Sequence, residues 1–314
     1  MITVFTPTYN RARLLPRLYE SLCRQTYRDF EWIVVDDGST DNTKNVVSKL
    51  KVENGKLKVD DSELKIEECE TDDGLIVDNS QFSIRYFYQE NGGKHRAINR
   101  GVKEANGELF FIADSDDALP PNALGTVADI YEEIKDDNSF AGVCGLDGTF
   151  EGEIIGSGIL QDKIDDNSIT VRFNLGITGD MKEVFRTNVL KDFPFPDIEG
   201  ERFCPEVLVW NRIATKYKLR FFNQIVYWAE YQKDGISAGI VKARMNSPIA
   251  SMMTYAELTV HKGVPTIAKI KAAINYWRFR FCSDNEKNPQ LSWWYHWTMP
   301  LGFLMHLRDL KTVK

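Results

Sequence analysis

Cysteine is scarce and unpatterned in this 314-residue chain: Cys23, Cys69, Cys144, Cys204 and Cys282 are odd in number, widely scattered and never form a Cys-x-x-Cys pair. Neither a disulfide framework nor a zinc site is indicated, and a reducing cytoplasm is the expected compartment. Long apolar runs are missing too. No stretch approaches the roughly 20 residues that a helix needs to cross a bilayer. The N-terminus enters the strand-like Ile2-Thr3-Val4-Phe5 without the basic stretch and apolar core of a signal peptide. Positive charge is in deficit, with 39 Lys and Arg against 46 Asp and Glu and a net charge of -7. That excludes a general nucleic-acid binder, which needs clustered basic residues to displace counterions from phosphates. An anionic ligand must then be met by a local site. Internal repeats and low-complexity segments are absent.

What is present is an ordinary globular composition, 43% hydrophobic and 27% charged, with material for a sizeable core. Short apolar runs alternate with amphipathic stretches, the pattern of a mostly parallel sheet flanked by helices. Strands are expected at Ile2 to Phe5, Trp32 to Val35, Ile84 to Tyr88 and Leu109 to Ala113, with helices at Arg13 to Gln25, Asp41 to Leu50, Lys94 to Ala105 and from Pro121 to about Lys135. Thr40 or Asp41 would cap the second helix. Residues 51–83 turn acidic and irregular and read as a surface insertion, with Leu57, Val59, Leu64 and Ile66 alternating as in a hairpin. Short strands are expected near Ala141 to Cys144 and Phe221 to Tyr227, and residues from about Asn246 look helical.

The most informative feature is Asp114-Ser115-Asp116-Asp117 at the end of the fourth strand. Side chains two apart on a strand share a face, so Asp114 and Asp116 are expected to share one ligand. In open parallel sheets ligands sit beyond the carboxyl ends of the strands, and Asp36-Asp37 ends a second strand at that edge. Carboxylates gathered there repel unless a cation or hydrogen-bond donors neutralise them. A hard divalent ion bridging carboxylate and diphosphate is the natural occupant. Taken alone, the same residues also read as a solvated turn capping the next helix.

The context resembles the family 2 glycosyltransferases, which use the GT-A fold, across roughly residues 1–240. The matching pieces occur in order: Thr6-Pro7-Thr8-Tyr9-Asn10, Val35-Asp36-Asp37-Gly38-Ser39-Thr40-Asp41, Asn91-Gly92-Gly93 leading to Ala97-Ile98-Asn99-Arg100-Gly101, and Asp114-Ser115-Asp116-Asp117. The resemblance implies a sugar transferred from a nucleoside-diphosphate donor, UDP by family habit, to a hydroxyl acceptor on a glycan or lipid-linked saccharide. It implies a divalent metal, Mn2+ or Mg2+, and an inverting displacement. Pro7 and Tyr9 would line the base pocket, with the Tyr9 ring on the nucleobase, and Asp37 would contact uracil or ribose. Asp114, with Ser115, would contact ribose or the metal's water shell, and Asp116 would be the direct metal ligand. Lys94 would face the nucleotide; Arg100 reads more simply as surface cover. Residues 1–117 would form the nucleotide-sugar and metal half, carrying the 51–83 insertion, and 118–245 the acceptor half of one catalytic domain. Residues 246–314 would be a helical extension.

The resemblance also implies a general base in the second half. Glu206 in Pro205-Glu206-Val207-Leu208-Val209-Trp210-Asn211-Arg212 is the first choice, although Val207 stands where an aspartate is usual, with Asp180 and Glu201 as alternatives. Glu206 also reads as a helix N-terminal charge. Asp234-Gly235-Ile236-Ser237 resembles a closing loop, and Trp210, Tyr227, Trp228 and Tyr231 are either sugar platforms or core. The tail holds Trp277-Arg278-Phe279-Arg280-Phe281 and Trp293-Trp294-Tyr295-His296-Trp297, a composition suited to peripheral contact with a membrane, to a homodimer interface or to packing on the chain itself. The competing readings are a nucleotidyltransferase on a related sheet, a phosphohydrolase and a donor-binding module without catalysis. Thr6-Pro7-Thr8 in place of Asp-x-Asp argues against the hydrolase, and no glycine-rich basic loop follows the first strand for the nucleotidyltransferase.

Overall fold

A computed structural model describes residues 1–53, 56–59, 74–77, 81–230, 239–284 and 288–312. The chain divides into two compact units. The first comprises Met1–Asp165, Thr178–Asp192 and Lys218–Glu230, and is built on a nine-stranded sheet. Its strands are β1 (Ile2–Thr8), β2 (Phe30–Asp36), β5 (Gly74–Val77), β6 (Ser83–Tyr88), β7 (Leu109–Ile112), β8 (Phe140–Gly148), β9 (Lys163–Asp166), β10 (Met181–Arg186) and β11 (Lys218–Trp228), in the order β5-β6-β2-β1-β7-β10-β8-β11-β9. β6, β2, β1 and β7 run parallel, and β10 enters antiparallel between β7 and β8.

Every residue of β1 and β2 is buried, as strands covered on both faces require. Alternation then assigns the faces. Ile2, Val4, Trp32, Val34 and Phe111 join one core with Leu15, Leu18 and Leu22 of α1 (Leu15–Cys23) and Leu124 and Val127 of α4 (Ala123–Glu132). On the other face Phe5 stacks on Phe110 at 5.0 Å and lies against Gly101 of α3 (Lys94–Glu104), where any Cβ would stand 2.2 Å from the Phe5 ring. α2 (Thr43–Ser48) is begun by Asp41, whose Oδ1 accepts from the Thr43 amide at 3.0 Å.

β9 and β10 were not foreseen; in β10, Met181-Lys182-Glu183-Val184-Phe185-Arg186 breaks the apolar pattern with half-buried Lys182 and Glu183 and buried Arg186. In the insertion, the hairpin is formed by β3 (Leu50–Glu53) and β4 (Lys56–Val59), pairing Leu50 with Val59. It therefore covers Leu57 and Val59; Leu64 and Ile66 lie outside the described residues.

The second unit comprises Asp166–Ile177, Phe193–Tyr217 and Tyr231–Lys314. It is helical: α6 (Glu206–Ile213), α7 (Ile240–Asn246), α8 (Pro248–Val260), α9 (Thr266–Arg280), a 3-10 turn over Trp293–Thr298 and α10 (Met299–Thr312). α5 (Thr187–Asp192) belongs to the first unit. Met252, Ala273, Tyr276 and Phe279 form the core of the second. The stretch 193–217, placed by the sequence with the catalytic region, clusters with the C-terminal helices. Arg212 of α6 makes a forked pair with Glu257 of α8, at 2.9 and 2.6 Å. Among the described residues no helix is long and apolar enough to cross a membrane.

Candidate donor and metal site

The site begins where β1 and β2 end side by side, with Thr8 opposite Asp36. Asn10 adopts a left-handed backbone, φ 53°, which its short polar side chain tolerates. Its Oδ1 accepts from the Thr40 amide at 2.8 Å, and its own amide donates to Ser39 Oγ at 2.8 Å. The loops after the two strands are thereby joined. Between buried Thr8 and this anchor, Tyr9 stands 48% exposed, which suits a stacking platform and not a core residue. Pro7 is buried within β1.

Asp36 and Asp37 have different fates. The expectation that both acids face one ligand is corrected for Asp36: it is buried, accepting from the Ser39 amide at 2.8 Å and the Tyr86 hydroxyl at 2.7 Å. Asp37 points into the turn before α3. Its Oδ1 accepts from Gln89 Nε2 and the Gly92 amide at 2.8 and 2.9 Å, and its Oδ2 from the Gly93 amide at 2.7 Å. Gly93 has φ 100°, a conformation glycine permits. The next residue, Lys94, sets its ammonium 2.7 Å from Asp114 Oδ1 and 2.9 Å from Oδ2. One short turn therefore links the carboxylate at the end of β2 to the carboxylate after β7. Those strands flank β1, roughly 10 Å apart.

Asp114 to Asp117 do not continue β7, so the expectation of a shared strand face is corrected: the strand stops at Ile112, and the Asp117 amide closes a turn onto the Asp114 carbonyl at 3.1 Å. The turn is clamped from outside. Tyr227 of β11, fully buried, accepts at its hydroxyl from the Asp114 amide at 2.7 Å and donates to Asp117 Oδ2 at 2.8 Å. The Glu230 amide donates to Asp117 Oδ1 at 2.9 Å. Arg17 of α1 donates to the Asp116 carbonyl and pairs with the Glu230 carboxylate at 2.5 Å. Ser115 is buried within the turn.

The carboxyls are electrostatically unequal. Burial pushes Asp114 up, but the ammonium groups of Lys94 and Lys182 outweigh it and hold its pKa below the usual range. Burial, then the Asp114 charge, raise Asp116. The same two causes push Asp117 up to about 7 against its hydrogen bonds. Lys182 sits 3.4 Å from the Tyr227 ring centroid and donates to the Ile112 carbonyl at 3.2 Å. Asp147 of β8 is buried with Oδ1 lacking a partner among the described residues, and burial raises its pKa to about 7. Asp180, exposed just before β10, contributes to that rise by its charge.

No three His, Cys, Asp or Glu side chains among the described residues form a metal cage by themselves. Magnesium and manganese in phosphate-handling sites are held by one or two carboxylates, the substrate's phosphates and water. Asp114 and Asp116, the second raised by the charge of the first, fit that donor set.

The model of the family described as Glycosyl transferase family 2 matches residues 3–65 and 72–150, the stretch that holds these loops. Over that stretch, under half of its length, this chain resembles that family. GlyG, a glycosyltransferase of Streptococcus pneumoniae serotype 4, is 31% identical over 137 residues, covering 43% of this chain and 36% of GlyG. A glycosyltransferase of Nostoc is 29% identical over 131 residues, covering 42% of this chain. The chain thus spans about a third of the length of these two relatives, 33% for the Nostoc protein. The GalNAc(5)-diNAcBac-PP-undecaprenol beta-1,3-glucosyltransferase of Campylobacter jejuni is 24% identical over 250 residues, 77% of this chain and 68% of that relative. Among solved structures, S. aureus TarS residues 1–349 in complex with UDP-GlcNAc matches with a TM-score of 0.58 at 17% identity, over 90% of this chain and 72% of that one. The mannosyltransferase PcManGT of Pyrobaculum calidifontis, in complex with GDP-Man and Mn2+, matches with a TM-score of 0.53 at 18% identity, over 99% and 75%. At these identities the likeness is one of fold, the GT-A fold with its mostly parallel sheet.

The remaining residues singled out from the sequence fall in both units. Glu206 opens α6, in the second unit. Glu201 is taken up structurally: it is buried and accepts from the Ile249 and Ala250 amides at 2.6 and 2.8 Å, closing the N-terminus of α8. Trp210 is buried edge-on to Phe195, and Tyr227 works through its hydroxyl and not as a sugar platform. Trp228 lies 5.8 Å from Phe150. Arg100 donates to the Tyr88 carbonyl and covers Phe87, as surface cover does. Tyr231 and Asp234 to Ser237 lie outside the described residues. Sequence reasoning missed Gln89, Arg17, Lys182 and Glu230; no local pattern marks them, because each acts across the fold.

Proposed function

We propose that this chain is a family 2 glycosyltransferase that transfers a sugar from a nucleoside-diphosphate sugar, UDP-linked by preference, to a hydroxyl of a glycan or lipid-linked saccharide, with inversion. The observation that carries this reading is the Asp37–Gly93–Lys94–Asp114 bridge. It ties the end of β2 to the acid turn after β7, and Tyr9, at the end of the strand between them, is exposed. Asp37 and Tyr9 would hold the nucleoside, and Lys94, Asp114 and Ser115 the ribose and diphosphate. Asp116, assisted by Asp114, would hold Mn2+ or Mg2+, which when bound stabilises the charge on the departing diphosphate. Lys94, with Lys182, supplies positive charge at the acid turn of an otherwise acidic protein. Glu206 would accept the acceptor's proton, with Asp180 as the alternative base. UDP-GlcNAc bound to TarS, GDP-Man with Mn2+ bound to PcManGT and the undecaprenol-linked substrate in the C. jejuni relative's name support the donor and acceptor classes.

Residues 1–245 would constitute the catalytic domain and 246–314 an extension, working in the cytoplasm or on the cytoplasmic face of a membrane. A second reading, a donor-binding module without turnover, is favoured by Val207 in place of an aspartate after Glu206. Release of free nucleoside diphosphate from a panel of sugar nucleotides, with and without Mn2+, separates the two. Metal-dependent release from one donor in the presence of acceptor supports transfer. Saturable binding of a donor with no release under any condition overturns it.

A further inference from the structure

Helix α10 is packed inside out. Its buried positions are Gly302, His306 and Asp309, a single stripe along the helix. At Gly302 a Cβ would stand 2.4 Å from Trp277 Cβ and 2.7 Å from the Ile274 carbonyl oxygen, so α10 and α9 meet backbone to backbone. Asp309, 5% exposed, accepts from both Nε and Nη2 of Arg278 at 2.5 and 2.8 Å. The opposite side of the same helix turns Leu301, Phe303, Leu304, Leu307 and Leu310 to solvent, Leu304 at 62%. The 3-10 turn before it adds Trp293, Trp294 and Trp297, with Trp294 at 67%. A helix packed in water turns its apolar stripe inward and its charges outward. Scattered exposed leucines are ordinary, whereas a continuous apolar run marks a surface meant to be covered.

Charge selects what covers it. From Trp293 to Thr312 the sequence holds one acid, Asp309, and that acid is engaged by Arg278. Arg308 and Lys311 are exposed beside the leucines. An apolar face with uncompensated positive charge thus sits on a chain of net charge -7. The same patch on a second copy would offer two more cations and no exposed acid. Anionic headgroups answer the cations, while tryptophan at headgroup depth and leucine at the acyl boundary are the composition of a helix lying in a bilayer interface. We propose that this face docks the chain on an anionic phospholipid bilayer, with α10 lying in the plane of the headgroups. Its 14 residues are too few to span the hydrocarbon core. The inference stands on the second unit's own geometry and does not depend on the donor-site reading.

The test is sedimentation of the full chain with phosphatidylcholine vesicles, with and without phosphatidylglycerol, alongside tryptophan emission. The native chain should pellet with the phosphatidylglycerol vesicles, and its emission should shift to the blue. Leu304→Glu should stay in the supernatant while keeping metal-dependent donor binding. Arg308→Glu with Lys311→Glu should weaken binding to the anionic vesicles about tenfold or more and erase their advantage. A native chain that neither pellets nor shifts overturns the proposal, as does pelleting that survives both variants. A concentration-dependent dimer dissolved by Leu304→Glu assigns the face to a second copy and overturns it too. The emission shift is read on the native chain, so the outcome does not hang on a variant's folding. Vesicle binding without any donor binding leaves the docking face standing and removes the sugar-transfer reading instead.

Discussion

Tyr227 holds the acid turn through a single hydroxyl that accepts from Asp114 and donates to Asp117. Tyr227→Phe removes both bonds and little volume. It should raise the metal concentration for half-maximal activity about tenfold, the usual cost of losing a support behind metal-binding groups. The fold should lose about 1–3 kcal/mol. Metal titration of activity beside chemical denaturation reads the two effects separately, and an unchanged metal requirement would deny Tyr227 a positioning role. Glu206→Gln should spare donor binding by calorimetry and stop transfer; retained transfer would move the base to Asp180. Residues of the donor end were legible because they stand in short ordered motifs: Asp37, Gly93, Lys94 and Asp114 are all within or beside them. Tyr227 was not legible, since its partner Asp114 lies 113 residues away and nothing local distinguishes it from a core tyrosine. Asp36 misled for a related reason. Side by side in sequence with Asp37, it turns to Tyr86, 50 residues downstream.

The parallel heart of the sheet was legible at the scale of elements, because β1, β2 and β7 are apolar runs that only a strand covered on both faces accommodates. β10 was opaque, since its Lys182 serves the site and so breaks the apolar pattern. Glu31 shows how a charge is kept within that heart. Burial alone would push its carboxyl up, but the Thr3 hydroxyl, the Asn106 amide and the Arg85 guanidinium reverse this and lower its pKa. A carboxyl whose pKa is depressed on folding stabilises the fold above its unfolded value, about 4.3, and loses that contribution as pH falls through the folded value. Glu31→Gln should therefore cost about 1–3 kcal/mol at pH 7. The gap to the native chain should close in acid. Denaturant midpoints measured at pH 7 and pH 3 test the sign; a gap that widened in acid would contradict it.

Ligand linkage is the measurement that spans the whole molecule. A sugar nucleotide with Mn2+ at 100 times its Kd adds about 2.7 kcal/mol. The melting midpoint should then rise by about 5–10 °C for a unit of this size, and Asp116→Asn should abolish the rise. The two units also bear on where the chain can be cut. The backbone leaves one unit for the other after residues 165, 177, 192, 217 and 230. A chain ending at residue 245 would keep α6 while losing Glu257, its ion partner, and would leave Ala214 and Ile169 without Val264. It should aggregate or melt without a cooperative transition, whereas a sharp transition near that of the native chain would show residues 246–314 to be a separable appendage. The sequence concealed this interleaving because every boundary looks like an ordinary loop. Its consequence reaches into ancestry: a relative could not have acquired this C-terminal unit by a single recombination at its 3′ end. Exchange of this unit for another would have to replace two internal inserts along with the tail, so such chains should diversify by gradual substitution and not by swapping modules.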